Sequence, residues 1–137
     1  MTTIAVRDGV MACDTHVSGN AGVGAIKMRK RRGIIVGFAG DWIAGVALAE
    51  HVLAGSTKGV TPHSADDLEL LVLKEDGVYL LDAYFRPVKI THAYYAIGSG
   101  AECAMVAMNM GATAPEAVAE AIKVDDSTWG RVRKLSL

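Results

Sequence analysis

Hydrophobic and polar residues alternate along the first part of the chain, which is the pattern of strands with one buried face. Two such runs, residues 3–7 and 10–16, are separated only by Asp8-Gly9, a connection that favours a tight hairpin. Residues 33–40, GIIVGFAG, are almost wholly apolar between glycines, which is typical of a strand buried on both faces. Three strands are therefore predicted before the first helix.

Three helices are predicted from capping residues that precede stretches of helical spacing. Asp41 can cap a helix that ends near Leu53. Residues 99–102 and 113–116 each have the spacing of a capping box, Ser99 with Glu102 and Thr113 with Glu116. Two further helices are therefore expected near the carboxyl end, the first of them ending at Gly111.

The remaining segments predict a loop and four more strands. Residues 55–66 have the composition of a loop, and residues 68–74 and 78–85 form a second predicted hairpin. A single strand is predicted from Val88 to about Ile97, and a short last strand over residues 131–137.

The order of these elements predicts an α+β fold. Helices come in separate groups between sets of antiparallel strands, which favours a two-sheet sandwich covered by helical layers over a doubly wound parallel sheet. With no internal repeat or linker, residues 1–137 are predicted to form a single domain.

Composition and charge mainly exclude partners. The formal net charge is −1, so neither nucleic acid nor a membrane surface is an expected partner, and no stretch approaches the roughly 20 apolar residues of a membrane helix. Cys13 and Cys103 lack disulfide or metal-ligand spacing, and the four histidines lack it too. We expect a cytoplasmic protein with no metal and no cofactor.

The chemistry that the sequence offers is concentrated at its start. Removal of Met1 would leave Thr2 with a hydroxyl and a free α-amine, so that one residue supplies both nucleophile and general base. The pKa of a free α-amine lies near 7.7–8.0, and a neighbouring ammonium group would lower it. Such a site needs a cation, a carboxylate that orients it, and backbone N–H donors for an oxyanion.

At these positions the chain resembles the proteasome β-subunits and the HslV-type peptidases, which are N-terminal-threonine members of the Ntn-hydrolase superfamily. The segments that carry the resemblance come in the family's order: TTIAV, ACDTHVSG, AIKMRK, IIVGFAGD, AIGSGAE and VDDSTWG. The resemblance implies a four-layer αββα sandwich. It also implies the loss of one helix, because residues 55–66 stand where the family has a second long helix.

The resemblance implies a role for each matching residue. Thr2 is the nucleophile, Lys27 lowers the pKa of its amine, and Asp14 orients Lys27. The other implied residues are Gly37 as the oxyanion donor, Ser99 at the amine, Asp126 as the support of Ser99 with Asp125 as the alternative, and Val17 and Ser18 in the substrate channel. Ile35 and Ala39, with Val17, suggest an apolar specificity pocket.

The activity implied is a threonine-type endopeptidase that hydrolyses peptide bonds. By the same resemblance it forms a homo-oligomeric ring with an internal chamber and works with an ATP-dependent unfoldase. Two alternatives stay open. A retained Met1 would turn the amine into an amide and leave a non-catalytic structural subunit, and a small amidase of the same superfamily would act on a non-peptide amide.

Overall fold

The computed structural model of the chain describes residues 2–15, 27–61 and 68–137. Within these ranges it contains nine strands and three helices. In chain order they are β1 (Thr3–Arg7), β2 (Val10–Cys13), β3 (Met28–Arg31), β4 (Ile34–Ala39), α1 (Trp42–Leu53), β5 (Glu69–Lys74), β6 (Gly77–Asp82), β7 (Pro87–Ile90), β8 (Tyr94–Gly98), α2 (Ala101–Asn109), α3 (Ala114–Val124) and β9 (Arg133–Ser136).

The strands form two antiparallel sheets that pack face to face. One sheet has the order β8-β1-β2-β9 and the other the order β3-β4-β5-β6-β7. Helix α1 covers the five-stranded sheet, while α2 and α3 cover the four-stranded sheet. The predicted α+β class and the αββα layers are therefore confirmed.

Alternation along the strands divides side chains by size between the two faces of the four-stranded sheet. Ile4 and Val6 point into the core between the sheets. Ala5, Ala12 and Ala96 point the other way, against α2 and α3. The small alanines let the two helices pack close to β1 and β2, the strands that carry the candidate site.

Helix α1 lies close to β4 because a glycine stands at their contact. A Cβ at Gly45 would lie 2.3 Å from Cδ2 of Phe38, so only glycine fits against that ring. Leu48 and Val52 complete the contact on the same buried face. This packing fixes the end of β4, where the chain turns into α1 through the N-cap Asp41.

Several local predictions are confirmed. Asp8 and Gly9 have φ values of 52° and 73°, as the tight turn between β1 and β2 requires. The carboxylate of Asp41 accepts an N–H from the first turn of α1. Thr113 and Glu116 form the predicted capping box at the start of α3.

The predicted single strand over residues 88–97 is wrong. Residues 87–90 form β7, at the edge of the five-stranded sheet, and residues 94–98 form β8, at the edge of the other sheet. Between them the chain crosses from one sheet to the other. A continuous run of strand-forming residues does not reveal such a crossing, because the pairing partners are distant in sequence.

The predicted capping of α2 by Ser99 is also wrong. The N-cap is Gly100, and no side chain caps the helix. The hydroxyl of Ser99 donates instead to Asp125 at 2.6 Å, because the turn after β8 aims it at the end of α3.

The connection between α1 and β5 is described only in part. Residues 54–61 form no helix, and residues 62–67 lie outside the described ranges. Across the helices that the structure does describe, none has the length and apolar character needed to cross a membrane.

Candidate active site

The start of β1 is held on both sides. Thr2 is only 6% exposed, and its carbonyl oxygen accepts the Ser99 N–H at 2.9 Å. The Thr3 N–H donates to Oδ1 of Asp14 at 3.0 Å. Since β1 lies between β8 and β2, Thr2 is fixed between the turn that follows β8 and the end of β2.

Asp14 and Lys27 form a buried ion pair beside this end of β1. Nζ of Lys27 lies 3.1 Å from Oδ1 of Asp14, and the two side chains are 4% and 0% exposed. Oδ2 of Asp14 accepts the Trp129 N–H at 3.3 Å, so both carboxylate oxygens have donors. A buried charge requires such partners, and Asp14 receives them from three separate segments of the chain.

Burial lowers the pKa of Lys27 below its ordinary value, because the surroundings disfavour the charged form. The negative charge of Asp14 and its hydrogen bond to Lys27 act in the opposite direction. Lys27 is placed by its own backbone, since its carbonyl accepts the Phe38 N–H at 3.1 Å just before β3 begins. The ammonium group therefore faces Asp14 from the beginning of β3.

The assignment of Gly37 as the oxyanion donor is corrected by the strand pairing. In an antiparallel sheet, N–H groups of successive residues point to opposite neighbours. The Phe38 N–H points toward β3, where it meets Lys27. The Gly37 N–H therefore points toward its partner Leu71 in β5 and lies within the sheet. Gly40 stands just beyond the end of β4, with a φ of 109°.

Two glycines bring the Ser99 turn against β1. Gly98 has a φ of 97°, and a Cβ there would lie 1.8 Å from the Thr2 carbonyl oxygen. At Gly100 a Cβ would lie 2.1 Å from Oγ1 of Thr3. Glycine on both sides of Ser99 therefore allows this turn to approach Thr2 and Thr3 closely.

Hydroxyl groups connect this turn to the end of α3. Thr128 and Ser99 both donate to Oδ2 of Asp125, and Oγ1 of Thr3 lies 2.7 Å from Oγ1 of Thr128. Burial raises the pKa of Asp125, but the hydroxyl donors Ser99 and Thr128, the Ser127 backbone and the positive chain terminus together hold that pKa below its ordinary value. The preferred partner of Ser99, Asp126, is thereby corrected to Asp125, the alternative by one residue.

The register difference has a simple cause. Asp125 is the C-cap of α3, and its N–H bonds to Ala121 within the helix end, which turns its carboxylate toward Ser99. Asp126, one residue on, is exposed. Sequence reasoning also missed Thr128, although its position three residues after Asp125 is a spacing at which a hydroxyl can reach back to the carboxylate. The contact of Trp129 with Asp14 could not be predicted from the sequence, because it is made by the backbone N–H and not by the side chain.

The predicted substrate residues are only partly accounted for. Ile35 is fully buried and Ala39 is 5% exposed, both within the core between the sheets, so the suggested pocket at these positions is corrected. They point inward because alternation along β4 directs every second side chain to that core. Val17 and Ser18 lie outside the described residues.

Cys13 provides no alternative nucleophile. Its side chain lies in the core between the sheets, and burial raises the pKa of its thiol to about 11. In the part of the chain that the structure describes, no group of three histidine, cysteine, aspartate or glutamate side chains could hold a metal ion.

Comparison with solved structures finds proteins of the same fold. BPH of Thiobacillus denitrificans in complex with Epoxomicin is 18% identical, with a TM-score of 0.70 over 99% of this chain and 97% of that one. Eukaryotic HslV from Trypanosoma brucei is 17% identical, with a TM-score of 0.67 over 99% of each chain. A second structure, Thiobacillus denitrificans BPH, is 18% identical with a TM-score of 0.64 over 99% and 96%.

These likenesses establish the HslV-like and proteasome-like Ntn-hydrolase fold of the chain over nearly its whole length. No protein-family model matches the sequence, and no curated protein matches it.

Proposed function

We propose that the chain is a threonine-type endopeptidase that acts in the cytoplasm, with Thr2 as its nucleophile after removal of Met1. The observation that carries the proposal is the buried Asp14–Lys27 pair, bonded through Asp14 to the residue that follows Thr2. An ion pair costs free energy to bury, and this one lies beside a residue that can combine a nucleophile and a base.

In the proposed reaction, Oγ of Thr2 attacks the carbonyl carbon of the scissile peptide bond. The α-amine of Thr2 takes the hydroxyl proton and then gives it to the leaving amine, so that an ester to Thr2 replaces the peptide bond. Water then attacks the ester, releases the acid product and restores the hydroxyl group. We propose the Gly40 N–H, in place of that of Gly37, as the donor to the oxyanion.

Lys27 and Ser99 have complementary roles in this proposal. The ammonium group of Lys27 lowers the pKa of the Thr2 amine, so that more of the amine is in the basic form at neutral pH. Since Ser99 donates its proton to Asp125, its oxygen keeps lone pairs that can accept from the amine. Thr128 and Asp125 hold Ser99 in that orientation.

We further propose a homo-oligomeric ring that encloses the sites and works with an ATP-dependent unfoldase. The support is the likeness of fold to HslV and BPH. Because one of those BPH structures is a complex with Epoxomicin, we expect the same compound to bind this chain and to require Thr2.

Peptidase assays on processed protein test the proposal. Intact mass first establishes that the chain begins at Thr2. Thr2→Ala and Lys27→Ala are then each expected to reduce kcat/KM on the order of a thousandfold. Lys58→Ala, an exposed lysine in the loop after α1, is the matched control and keeps full activity. Full activity in Thr2→Ala, or in protein that retains Met1, would disprove the proposal.

A further inference from the structure

A groove runs along the outer side of α2 and α3. Residues four apart lie on one side of a helix, so three such residues from each helix form one wall of the groove. The walls contain Glu102, Val106 and Met110 from α2 and its end, and Glu116, Glu120 and Val124 from α3. The groove has a volume of about 820 Å³. The rise along α3 gives it a length of about 12 Å.

The groove lies on the side of the two helices that turns away from the four-stranded sheet. The opposite side is buried against that sheet, where Ala104, Met108 and Val118 pack with Ala5 of β1. Helices α2 and α3 therefore separate the groove from the strand that begins at the candidate active site. The proposed catalysis makes no use of this face.

Three large apolar side chains in the groove are exposed. The exposed fractions are 61% for Val106, 83% for Met110 and 68% for Val124. Exposed apolar side chains that are grouped in a concave site and rimmed by polar residues mark a binding surface. An unbranched methionine also adapts its shape to what it contacts.

The charges around these apolar side chains select the occupant. Among the described residues that line the groove, three are glutamates and none is lysine or arginine. Within the described helices α2 and α3, Lys123 is the sole basic residue, and it pairs with Glu120. Glu116 accepts the Thr113 N–H, which leaves its negative charge in place. The rim is therefore net negative.

This negative rim disfavours several occupants. A second copy docked through the same face would bring glutamates against glutamates, and a nucleic acid or an anionic membrane would be repelled in the same way. A small apolar molecule would bury the floor without any cation for the carboxylates. A basic segment with an apolar face satisfies both the floor and the rim.

We propose that the α2–α3 groove binds a short cationic amphipathic helix of a partner protein. Leu or Met side chains three or four apart on that helix contact Val106, Met110 and Val124, and its Lys or Arg side chains meet the glutamates of the rim. The inference goes beyond the proposed peptidase activity and does not depend on it.

Fluorescence anisotropy with a labelled synthetic peptide tests the proposal. The probe is a helical peptide of about 14 residues with Leu on one face and Lys on the other, and the control peptide has Glu in place of Lys. The protein carries Thr2→Ala so that the peptide is not cleaved. The Lys peptide is expected to bind with a Kd of about 10 µM at low salt and about tenfold more weakly at high salt. The Glu peptide is not expected to bind.

Variants of the chain locate the binding site. Val106→Asp is expected to weaken binding of the Lys peptide about tenfold, and Glu102→Lys about fivefold. The matched controls are Val88→Asp, at an exposed valine of β7, and Glu75→Lys, in the turn between β5 and β6, and both keep full affinity. Urea unfolding establishes that each variant is folded. If Val106→Asp does not fold, Glu102→Lys and the salt dependence decide the outcome.

The result of this experiment is independent of any peptidase assay. Saturable binding that is weakened by salt and by the groove variants upholds the inference. Equal binding of the two peptides, equal effects of the control variants or absence of saturation overturns it. Sedimentation that shows self-association of the unchanged chain and its loss in Val106→Asp would assign the groove to a second copy, which also overturns the inference.

Discussion

At the scale of single residues, Asp14 connects the parts of the candidate site. One of its oxygens accepts from Lys27 and Thr3, and the other accepts from Trp129. The sequence allowed Asp14 and Lys27 to be paired through a family resemblance, and the structure shows the contact. The contribution of Trp129 was beyond prediction, because a backbone donor carries no signature in the side chain.

Asp14 also controls the charge of Lys27, which gives a prediction about pH. In Asp14→Asn an oxygen remains to accept the Thr3 N–H, but the negative charge that raises the pKa of Lys27 is lost. Burial, which lowers that pKa, then acts without the opposing effect of the Asp14 charge. The alkaline limb of the kcat/KM profile, where Lys27 loses its proton, is expected to move to lower pH.

A pH series of peptidase rates measures this shift. At pH 7 the rate of Asp14→Asn is expected to fall on the order of a hundredfold. Glu50→Gln, which changes an acid paired with Arg29 and Arg31 away from the site, is the control and leaves the alkaline limb in place. An unmoved limb in Asp14→Asn would show that Lys27 does not act as the proposed cation.

At the scale of elements, the site depends on how α2 and α3 meet β1. The sequence predicted the existence of both helices, and the capping box of α3 is present as expected. The start of α2 was misjudged because a serine at position 99 can either cap the helix or donate to a distant residue, and the sequence pattern is the same in both cases. Local spacing cannot distinguish the two, since the competing partner, Asp125, is 26 residues away.

The turn before α2 gives a prediction about Gly100. Its φ of −93° suits any residue, so Gly100→Ala acts through contact of the new methyl group with Thr3, Ala121 and Thr128. We expect that contact to displace the hydroxyl network and to lower kcat at least about tenfold.

Gly9→Ala provides the contrast for that measurement. Its Cβ meets nothing within 4 Å, but its φ of 73° strains any other residue. It should cost about 1–2 kcal/mol in free energy of unfolding while kcat stays unchanged. If Gly100→Ala loses stability and keeps kcat in the same way, the turn does not position the site.

The carboxylate at the end of α3 gives a prediction about acid stability. The pKa of Asp125 is lower in the folded chain than its ordinary value of 3.8, since the effect of burial is outweighed by hydrogen bonds from Ser99, Thr128 and the Ser127 backbone together with the positive chain terminus. Its contribution to folding is therefore complete above pH 3.8 and is lost as the pH falls through the lower folded value.

Urea unfolding of Asp125→Asn at several pH values tests this dependence. The variant is expected to be less stable than the unchanged chain from pH 7 to about pH 5, and the difference should shrink below pH 3.8. Asp126→Asn, one residue further along, alters an exposed side chain and should match the unchanged chain throughout. Equal effects of the two substitutions would contradict the assignment of Asp125.

At the scale of the whole molecule, the layers were predictable and the crossing between sheets was not. Grouped helices and alternating strands sufficed for a two-sheet sandwich covered by helices, and the family resemblance implied the αββα order of its layers. The segment 88–97 was misread because β7 and β8 are both rich in strand-forming residues but belong to different sheets. Composition determines that a segment is a strand, whereas its sheet is determined by partners elsewhere in the chain.

The proposed ring gives a prediction about mass. Native mass spectrometry is expected to find a defined multiple of the 14.4 kDa chain, and peptidase activity should follow that species. Measuring peptidase activity after dilution to concentrations at which monomers predominate tests whether activity requires the assembled ring. Undiminished activity in a monomer would exclude the enclosed chamber and leave the chemistry of Thr2 intact.

The contact between Asp14 and Trp129 has a consequence for the order of folding. The two residues are 115 positions apart in the sequence, so their hydrogen bond closes a very long loop. The entropy lost in closing such a loop has to be offset by contacts of other strands and helices, which makes a bond of this kind a late event in folding. The electrostatic surroundings of Thr2 are therefore expected to be complete only once most of the fold has formed.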